Sequence, residues 1–457
     1  MNLSIKVTNL GRLKKGRIEL RPLTVLTGEN GTGKSFFTKT LYSIFNIINK
    51  NLLHNEIVKN VRQCQIIIDI FDESLSPNLD VDAKNISLLR CSLNNISDAL
   101  DEVRDQDINL YTKYCAILNK QPLKDIEKFN QYAEKLTTKN KIKTVEGIHK
   151  ALTSSLHILN RNIVKGESVY IELLDNAIRQ ELQENFQIAN ISELISFDEG
   201  DTRLSAGTFH VHFNKEKKIS FDLELDEINE IPNFPRVVFF ESPAYWNVRD
   251  ALNNSKGVEN KKDLTGVPKY FYDLDKTLNT KSTNQPLEII SKLAVELKEE
   301  IGGEFIFESG RLSFVDNSGK NIDKNLISFG MTNLGMIQAL LKNNVISEGS
   351  CIFFDEPEIN LHPTWQILLT KVLIKLAENG VNVVMATHSL DMIKALEVHT
   401  KGKDKKFIAV NHFTKEGGLF EFDSDNITEN LIESRNELAN AYEDLFLSEL
   451  YDPENEQ

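Results

Sequence analysis

The chain has 457 residues, which is longer than most single domains and favours two or three structural units. Its apolar content of 40% and charged content of 26% are typical of a soluble globular protein, and no run approaches the roughly 20 apolar residues that cross a bilayer. A net charge of −14 argues against a surface built for non-specific nucleic-acid binding, because Lys and Arg supply that affinity. We therefore expect a cytoplasmic protein with no membrane partner.

The N-terminal region, residues 1–50, carries a phosphate-binding pattern. Apolar and β-branched runs predict strands at Leu3–Val7, Arg17–Leu20 and Leu23–Leu26, with a basic turn at Arg12–Gly16. The third strand leads into residues 28–35, G-E-N-G-T-G-K-S, which fit G-x-x-x-x-G-K-[ST] at every fixed position, and a helical spacing follows to Ile48. In this geometry backbone N–H groups converge on a phosphate at a helix N-terminus.

This pattern predicts which residues bind a nucleotide. Lys34 would reach the β- and γ-phosphates, and the Ser35 hydroxyl would contact Mg²⁺. The alternative, a glycine-rich turn with an accidental Lys-Ser pair, is disfavoured by the flanking strand and helix. The predicted set is Gly28, Glu29, Asn30, Gly31, Thr32, Gly33, Lys34, Ser35 and Phe36.

Residues 51–195 predict a large helical insertion. This region is polar, rich in Asn and Lys, and mostly helical by spacing. A heptad seam is formed by Ile86, Leu89, Leu93, Ile96, Leu100 and Val103, and Pro122 is expected to end a later helix. The insertion could bind a partner or could equally be a packed helical lobe.

Residues 196–300 return to strands and then to a helix. Alternation at residues 209–213 and 219–225 predicts a hairpin around a charged loop, Asn214–Lys218. A buried strand is predicted at Arg236–Phe240 and a helix at Leu287–Ile301, where glycines end it. We expect this region to complete the domain that begins at residue 1.

Residues 301–425 contain a second group of candidate site residues. A hairpin is predicted at 305–315, followed by an apolar strand that ends in Asp355 and Glu356. Asp355 can hold Mg²⁺ through water, and Glu356 can orient or deprotonate an attacking water. The alternative is an acidic strand end that caps a turn. After a further helix, the strand Val381–Ala386 places His388 at its tip, where it can contact a γ-phosphate or be a surface residue.

Three stretches together resemble a known family. G-E-N-G-T-G-K-S, F-D-E-P-E-I-N-L-H-P and A-T-H-S are similar to the ABC-type P-loop ATPases of the RecF, SMC and overcoming-lysogenization-defect kind. The resemblance covers about residues 1–48 and 305–396. It implies an α/β fold, an ATPase head of a mixed sheet flanked by helices with a large helical insertion. It also implies ATP and Mg²⁺ as cofactors, catalytic roles for Lys34, Glu356 and His388, metal contacts from Ser35 and Asp355, and a homodimer or higher homo-oligomer of heads.

The resemblance also implies a signature that crosses to the ATP of a second subunit. The matching place is Ile327–Met331, where Ser328 and Gly330 would supply hydroxyl and N–H groups to the γ-phosphate. Phe329 stands where the family has a small residue, and Ser328 could instead be a helix N-cap without nucleotide contact. For the family's glutamine loop, Gln63 and Gln65 are candidates.

The C-terminal part of the chain is relevant to which partners we expect. Phe407–Val410 and Leu419–Phe422 predict a closing hairpin, and residues 426–457 an acidic terminal helix, packed or recruiting. About seventy residues follow His388, too few for a typical nuclease domain, so we expect any cutting activity in a separate effector protein. We therefore predict the ATP-hydrolysing component of a bacterial anti-phage defence system. The alternatives are a DNA repair or chromosome-maintenance ATPase, with DNA as candidate partner, and a low-turnover nucleotide-bound scaffold.

Overall fold

The computed structural model describes residues 1–74, 80–104, 106, 108–118, 124–125, 128–129, 131, 134, 143–195, 200–207, 209–214, 219–222, 232–241, 244–249, 252, 266–279, 288–308 and 311–450. These residues form two compact units. The first contains the described residues within 1–49, 178–222 and 230–457, and the second those within 50–177 and 223–229. Residues 178–195, which the sequence placed in the helical insertion, thus belong to the first unit.

The strands are numbered in chain order. They are β1 (Leu3–Leu10), β2 (Leu13–Leu20), β3 (Leu23–Gly28), β4 (Thr202–Ala206), β5 (Phe209–Phe213), β6 (Ile219–Asp222), β7 (Val237–Phe240), β8 (Gly303–Glu308), β9 (Arg311–Asp316), β10 (Asn321–Asp323), β11 (Cys351–Asp355), β12 (Asn382–Ala386) and β13 (Ile408–Phe413).

The helices are numbered in the same way, and a single turn of helix at Ala244–Asn247 is left unnumbered. They are α1 (Lys34–Ile48), α2 (Leu52–Ser74), α3 (Asp80–Glu102), α4 (Ile108–Leu118), α5 (Lys143–Val164), α6 (Gly166–Phe186), α7 (Lys269–Asn279), α8 (Glu288–Ile301), α9 (Phe329–Lys342), α10 (Pro363–Glu378), α11 (Leu390–His399) and α12 (Ile427–Leu450).

A parallel sheet forms the core of the first unit. Among the described residues its strand order is β13-β3-β12-β11-β7, and every neighbouring pair is parallel. Every residue of β3, β11 and β12 is buried, as expected for strands covered on both faces, which read as continuous apolar runs. Because the strands are parallel, the segments that follow β3, β7, β11 and β12 emerge at the same edge of the sheet.

Two antiparallel sheets complete this unit in the described part of the chain. One has the order β2-β1-β4-β5-β6 and the other β10-β9-β8. The hairpin of β1 and β2 differs from the prediction, because Leu10 pairs with Leu13 and the turn is therefore Gly11–Arg12. Residues 13–16, predicted as part of a basic turn, extend the strand, where their backbone continues the ladder while Lys14 and Lys15 face solvent. The predicted charged hairpin loop lies mostly outside the described residues.

The C-terminal segment also differs from the prediction. β13 joins β3 as a parallel strand at the sheet edge, a pairing that the prediction did not include. The predicted hairpin is present only as a short antiparallel contact, in which Leu419 bridges to Phe413 and Phe420 N–H donates to His412 O at 2.8 Å. α12 then packs against α11 and β13, and its Leu431 is fully buried.

The second unit is helical wherever it is described. It contains α2 to α5 and the N-terminal part of α6. The seam predicted from the heptad spacing lies on α3, where Ile86, Leu89, Leu93, Ile96 and Leu100 are each at most 3% exposed. Val103 falls after the helix end, and Pro122 lies outside the described residues. No helix in the described ranges is both long and apolar enough to span a bilayer.

Candidate functional site

The loop between β3 and α1 has the conformation that its glycines predict. Gly28 has a φ of 136°, and a Cβ there would lie 2.4 Å from the carbonyl oxygen of Phe413. Gly33 caps α1 at a φ of 105°, a region that residues with a side chain rarely adopt. The first turn of α1 therefore begins directly at Lys34 and Ser35, with its N–H groups and positive dipole end at the loop.

Lys34 lies over its own loop. Its Nζ donates to the carbonyl oxygens of Gly28 at 2.7 Å and Glu29 at 2.8 Å, and the residue is 3% exposed. Burial lowers the pKa of Lys34, and the carboxylates of Glu356 and Asp355 oppose that shift. A nucleotide phosphate would be a stronger acceptor for this ammonium group than two neutral carbonyls.

The other loop residues are placed around this ammonium group. Thr32 is buried and its hydroxyl donates to Glu29 O at 2.9 Å, while Glu29 itself is exposed and pairs with Lys415 at 2.7 Å. Asn30 and Gly31 lie at the exposed tip of the loop. The Phe36 ring packs against Phe186, with centroids 4.9 Å apart.

Ser35 and Asp355 come together at the edge of the parallel sheet. Ser35 Oγ donates to Asp355 Oδ1 at 3.0 Å. Asp355 is 2% exposed, and burial raises the pKa of its carboxyl group to about 7, although the cation of Lys39 opposes the shift. A hydroxyl and a carboxylate are hard oxygen ligands of the kind Mg²⁺ takes, and a divalent cation would compensate the buried charge of Asp355. The two residues therefore fit the predicted metal site.

Glu241 is a residue of this site that the sequence did not single out. It follows β7, the neighbour of β11, and its Oε1 accepts from Lys39 Nζ at 2.7 Å. The other oxygen of Glu241 accepts from the hydroxyl of buried Tyr270, and the Glu241 carboxylate is close enough to raise the pKa of Asp355. Burial lowers the pKa of Lys39, but the charge and hydrogen bond of Glu241, together with the nearby Asp355 carboxylate, outweigh it and the net shift is upward.

Glu356 adopts a strained backbone conformation directly after β11. Its φ is 50°, an uncommon value for a residue with a side chain, and its N–H donates to Ala386 O at 2.9 Å. The side chain remains 30% exposed, and its Oε1 lies 3.6 Å from His388 Nδ1. The two adjacent carboxylates therefore lie in different environments: Asp355 is buried, whereas the side chain of Glu356 is partly exposed.

A cavity of about 380 Å³ lies beside the phosphate loop. The lining residues are Gly11, Arg12, Gly31, Gly33, Lys34, Ser35, Phe36, Glu193, Ile195 and Glu356. The cavity thus joins five of the nine predicted phosphate-binding residues to Glu356, and adds Arg12 from the β1–β2 turn and Glu193 from a short 3₁₀ helix. No motif in the sequence marks Arg12 or Glu193, because both reach the cavity through the packing of distant segments.

Ser328 and Gly330 do not line this cavity. Ser328 is the N-cap of α9, and its Oγ accepts from Met331 N–H at 3.3 Å. A Cβ at Gly330 would lie 2.6 Å from the carbonyl oxygen of Asn360, so this position requires glycine for packing. Phe329 is 45% exposed beside Leu326, which is 79% exposed. Ser328 and Phe329 are thus exposed at the N-terminus of α9, whereas Gly330 is buried.

Neither candidate for the glutamine loop lies in the first unit. Gln63 and Gln65 are on α2 of the helical unit, and Gln65 Nε2 donates to Asn94 Oδ1 at 2.7 Å. The residue that follows β7 in the first unit is Glu241, not a glutamine.

Comparison with known proteins places the chain among nucleotide-dependent enzymes. The sequence profile described as AAA ATPase domain matches residues 1–393. The Old nuclease of Escherichia phage P2 is 34% identical over 101 residues, which are 20% of this chain and 17% of that relative, so the match spans about a sixth of the relative's length. The profile confirms the α/β P-loop ATPase expected from the three stretches.

Several solved structures are similar at low identity. The SmcHead bound to the C-winged helix domain of ScpA is 10% identical with a TM-score of 0.40, covering 92% of this chain and 95% of that chain. The Smc head domain with a coiled coil and joint from Pyrococcus yayanosii is 11% identical with a TM-score of 0.35, covering 96% and 99%. At these scores the alignments carry no argument about the arrangement or partners of this chain.

Proposed function

Because the chain belongs to the AAA ATPase domain family, we propose that it is an ABC-type switch that binds and hydrolyses ATP in a dimer of heads. The observation that carries this proposal is the 3.0 Å hydrogen bond between Ser35 and Asp355 beside a cavity lined by Lys34 and Glu356. This hydrogen bond brings the phosphate loop, which contains Ser35, next to the acidic end of β11, which contains Asp355.

In this proposal each side chain of the site has one role. Lys34 exchanges its two carbonyl partners for the β- and γ-phosphates, and the N–H groups of residues 28–36 cradle them. Ser35 and Asp355 would hold Mg²⁺, which would supply charge neutralisation on the phosphate oxygens. Glu356, partly exposed and lining the cavity, orients or deprotonates the attacking water. His388, whose Nδ1 lies 3.6 Å from Glu356 Oε1, contacts the γ-phosphate.

We further propose that the active form is an ATP-bound homodimer. Ser328 and Gly330 do not line the cavity of their own chain; Ser328 is exposed at the N-terminus of α9, and Gly330 is buried in the first turn of that helix. They would complete the site of a second copy, with the Phe329 ring in the interface. ATP binding would close the dimer and hydrolysis would open it.

Steady-state phosphate release tests the enzymatic part of this proposal. We expect Mg²⁺-dependent turnover by the wild type, and a loss of about a hundredfold or more in Glu356→Gln, with ATP binding retained. Lys34→Ala is the control that should lose ATP binding itself. A wild-type rate no higher than that of either variant would show that the chain is a nucleotide-bound scaffold instead.

Light scattering of Glu356→Gln with ATP should give a dimer, and a monomer would contradict the closed-dimer proposal.

The biological role that we propose is the cytoplasmic ATPase component of an anti-phage defence system that controls a separate effector. The support is the short match to the Old nuclease of phage P2, which is 34% identical over 101 residues and covers 17% of that protein. We expect a neighbouring gene product to co-purify with the chain. Cleavage of DNA by the purified chain alone, with Mg²⁺ or Mn²⁺, would contradict a separate effector, and binding of DNA without cleavage would favour a repair role.

A further inference from the structure

We propose that Glu358 is a positioning residue that fixes the His388 ring for contact with the γ-phosphate. The inference rests on the proposed ATPase function, and it assigns a role to a carboxylate that the phosphate and metal motifs leave unused. Glu358 lies in the turn after β11 and is 7% exposed. A buried carboxylate needs compensation from hydrogen bonds or charge.

One oxygen of Glu358 holds the tip of β12. Its Oε1 accepts from the Thr387 hydroxyl at 2.8 Å and from the His388 N–H at 2.9 Å. These two bonds attach the segment after β12 to the turn after β11. The backbone of His388 is therefore placed by Glu358 before any ligand is bound.

The imidazole ring of His388 is close to Glu358 but not yet hydrogen-bonded to it. His388 Nδ1 lies 3.3 Å from Glu358 Oε1, within ion-pair distance, but the alignment does not make a hydrogen bond. Within the described part of the chain, Nδ1 and the second oxygen, Glu358 Oε2, are both buried without a hydrogen-bond partner. A rotation of the ring would align Nδ1–H with the Glu358 carboxylate, and catalytic hydrogen bonds often tighten in this way only when substrate binds. With Nδ1–H donated to Glu358, Nε2 is the ring nitrogen left for a ligand, and it donates to a phosphate oxygen when it also carries a proton.

Glu356 competes for the same nitrogen. Its Oε1 lies 3.6 Å from His388 Nδ1, and its side chain is 30% exposed, whereas that of Glu358 is 6% exposed. A pair between His388 and Glu356 would occupy the carboxylate that we assign to the attacking water. Glu358 is nearer and more buried, so it keeps Nδ1 and leaves Glu356 free to contact water.

A purely structural role for Glu358 would consist of the two bonds to the β12 tip. Thr387→Val removes one of them and keeps the carboxylate, so it is the matched control for loop attachment. Glu358→Gln keeps one side-chain oxygen for the same two donors. Its NH₂ group replaces the second carboxylate oxygen, so Nδ1–H has one acceptor fewer. If positioning of His388 is the role, the two variants differ in turnover.

The experiment is a double-mutant cycle in ATP hydrolysis on the full chain. We expect Glu358→Gln to lower kcat by about tenfold to a hundredfold, the range typical for partners that orient a ligating histidine, with KM for ATP changed by about twofold or less. Thr387→Val should stay within about threefold of wild type. In a His388→Ala background, Glu358→Gln should cause no further loss, because the ring it orients is absent.

Each result decides between the two proposals. If the wild type hydrolyses ATP and Glu358→Gln matches it, or if its loss multiplies with that of His388→Ala, the positioning role is wrong while the ATPase proposal stands. If the wild type shows no turnover above Lys34→Ala, the ATPase proposal fails and takes this inference with it.

A measurement on the wild type covers the case in which Glu358→Gln does not fold. With a non-hydrolysable ATP analogue bound, the ¹⁵N resonances of His388, assigned by their loss in His388→Ala, should show a protonated Nδ1. An Nδ1 without a proton in that complex would overturn the inference.

Discussion

Ser35 Oγ donates a hydrogen bond to Asp355 Oδ1 at 3.0 Å although 320 positions separate the two residues in the chain. The contact arises because β3 and β11 both pair with β12 in a parallel sheet, so the segments after them meet at one edge. It places a hydroxyl and a carboxylate at the start of α1, where the proposed metal and phosphates would lie.

Removal of the Ser35 hydroxyl should weaken the use of Mg²⁺. We expect Ser35→Ala to need about tenfold more Mg²⁺ for half-maximal hydrolysis, since one direct ligand is lost while Asp355 remains. The measurement is phosphate release against Mg²⁺ concentration at saturating ATP. Ser43→Ala on the same helix, where the hydroxyl donates to Lys39 O, is the control and should keep the wild-type Mg²⁺ dependence.

The raised pKa of Asp355 predicts a dependence of stability on pH. In the folded protein the pKa of Asp355 is about 7, against the ordinary 3.8 of an aspartate carboxyl group, so between those values the folded state holds a proton that the unfolded state has released. The contribution of Asp355 to the free energy of unfolding should therefore fall as pH rises from about 4 to 7 and then level off. Asp355→Asn lacks this loss and should be more stable than wild type at pH 8, by on the order of 3 kcal/mol.

Urea unfolding at pH 5 and pH 8, with EDTA and without nucleotide, checks this prediction. The difference between Asp355→Asn and wild type should widen towards pH 8. Two curves that run parallel across this range would mean that Asp355 titrates as an ordinary exposed carboxyl group.

Gly28 should tolerate no side chain. A Cβ there meets the Phe413 carbonyl oxygen at 2.4 Å in a backbone conformation of φ 136°, so Gly28→Ala must displace either the loop or β13. We expect a destabilisation of about 2–4 kcal/mol and loss of ATP binding. Gly319→Ala separates the two causes, because Gly319 also has a positive φ, 85°, but open space around its Cβ position. Its cost should be about 1 kcal/mol, and equal costs for both variants would assign the effect to backbone strain alone.

His412 should make the protein sensitive to acid. Its ring lies between Thr27, directly before the phosphate loop, and Ser434 of α12, with Nδ1 at 3.1 Å and 2.9 Å from their hydroxyl oxygens. Burial, with the nearby charge of Lys34, lowers the pKa of His412 to about 4. Between about pH 6.5 and 4 the unfolded state binds a proton that the folded state does not, so stability is lost as pH falls through this window.

Replacement of His412 tests that window. We expect His412→Gln to lose less stability between pH 6.5 and 4 than wild type, by up to about 3 kcal/mol, in denaturant unfolding. Ser434→Ala keeps the imidazole and should retain the wild-type acid sensitivity at a lower overall stability. An unchanged pH dependence in His412→Gln would contradict a buried, neutral histidine at this position.

Short contiguous patterns were enough to predict part of the site. The strand, glycine loop and helix at residues 23–48 are adjacent in the chain, so the conformation of the loop follows from local rules on glycine and helix N-termini. The strand that ends at Asp355 and the His388 segment were recognised in the same way. The turn at Gly11–Arg12 and the position of β13 were not, because strand ends and pairing partners depend on ladders with distant segments.

The sequence by itself determined that a phosphate loop, an acidic strand end and a histidine segment exist, because each is encoded by neighbouring residues. The tertiary structure decided their mutual geometry: the strand order β13-β3-β12-β11-β7, the approach of Glu241 to Asp355, and the contacts of Glu358 with Thr387 and His388. Periodicity shows that a strand is buried but not which strand lies beside it. Those neighbours are set by the packing of the whole unit, where burial of apolar surface favours one arrangement over the other pairings that the same strands could form.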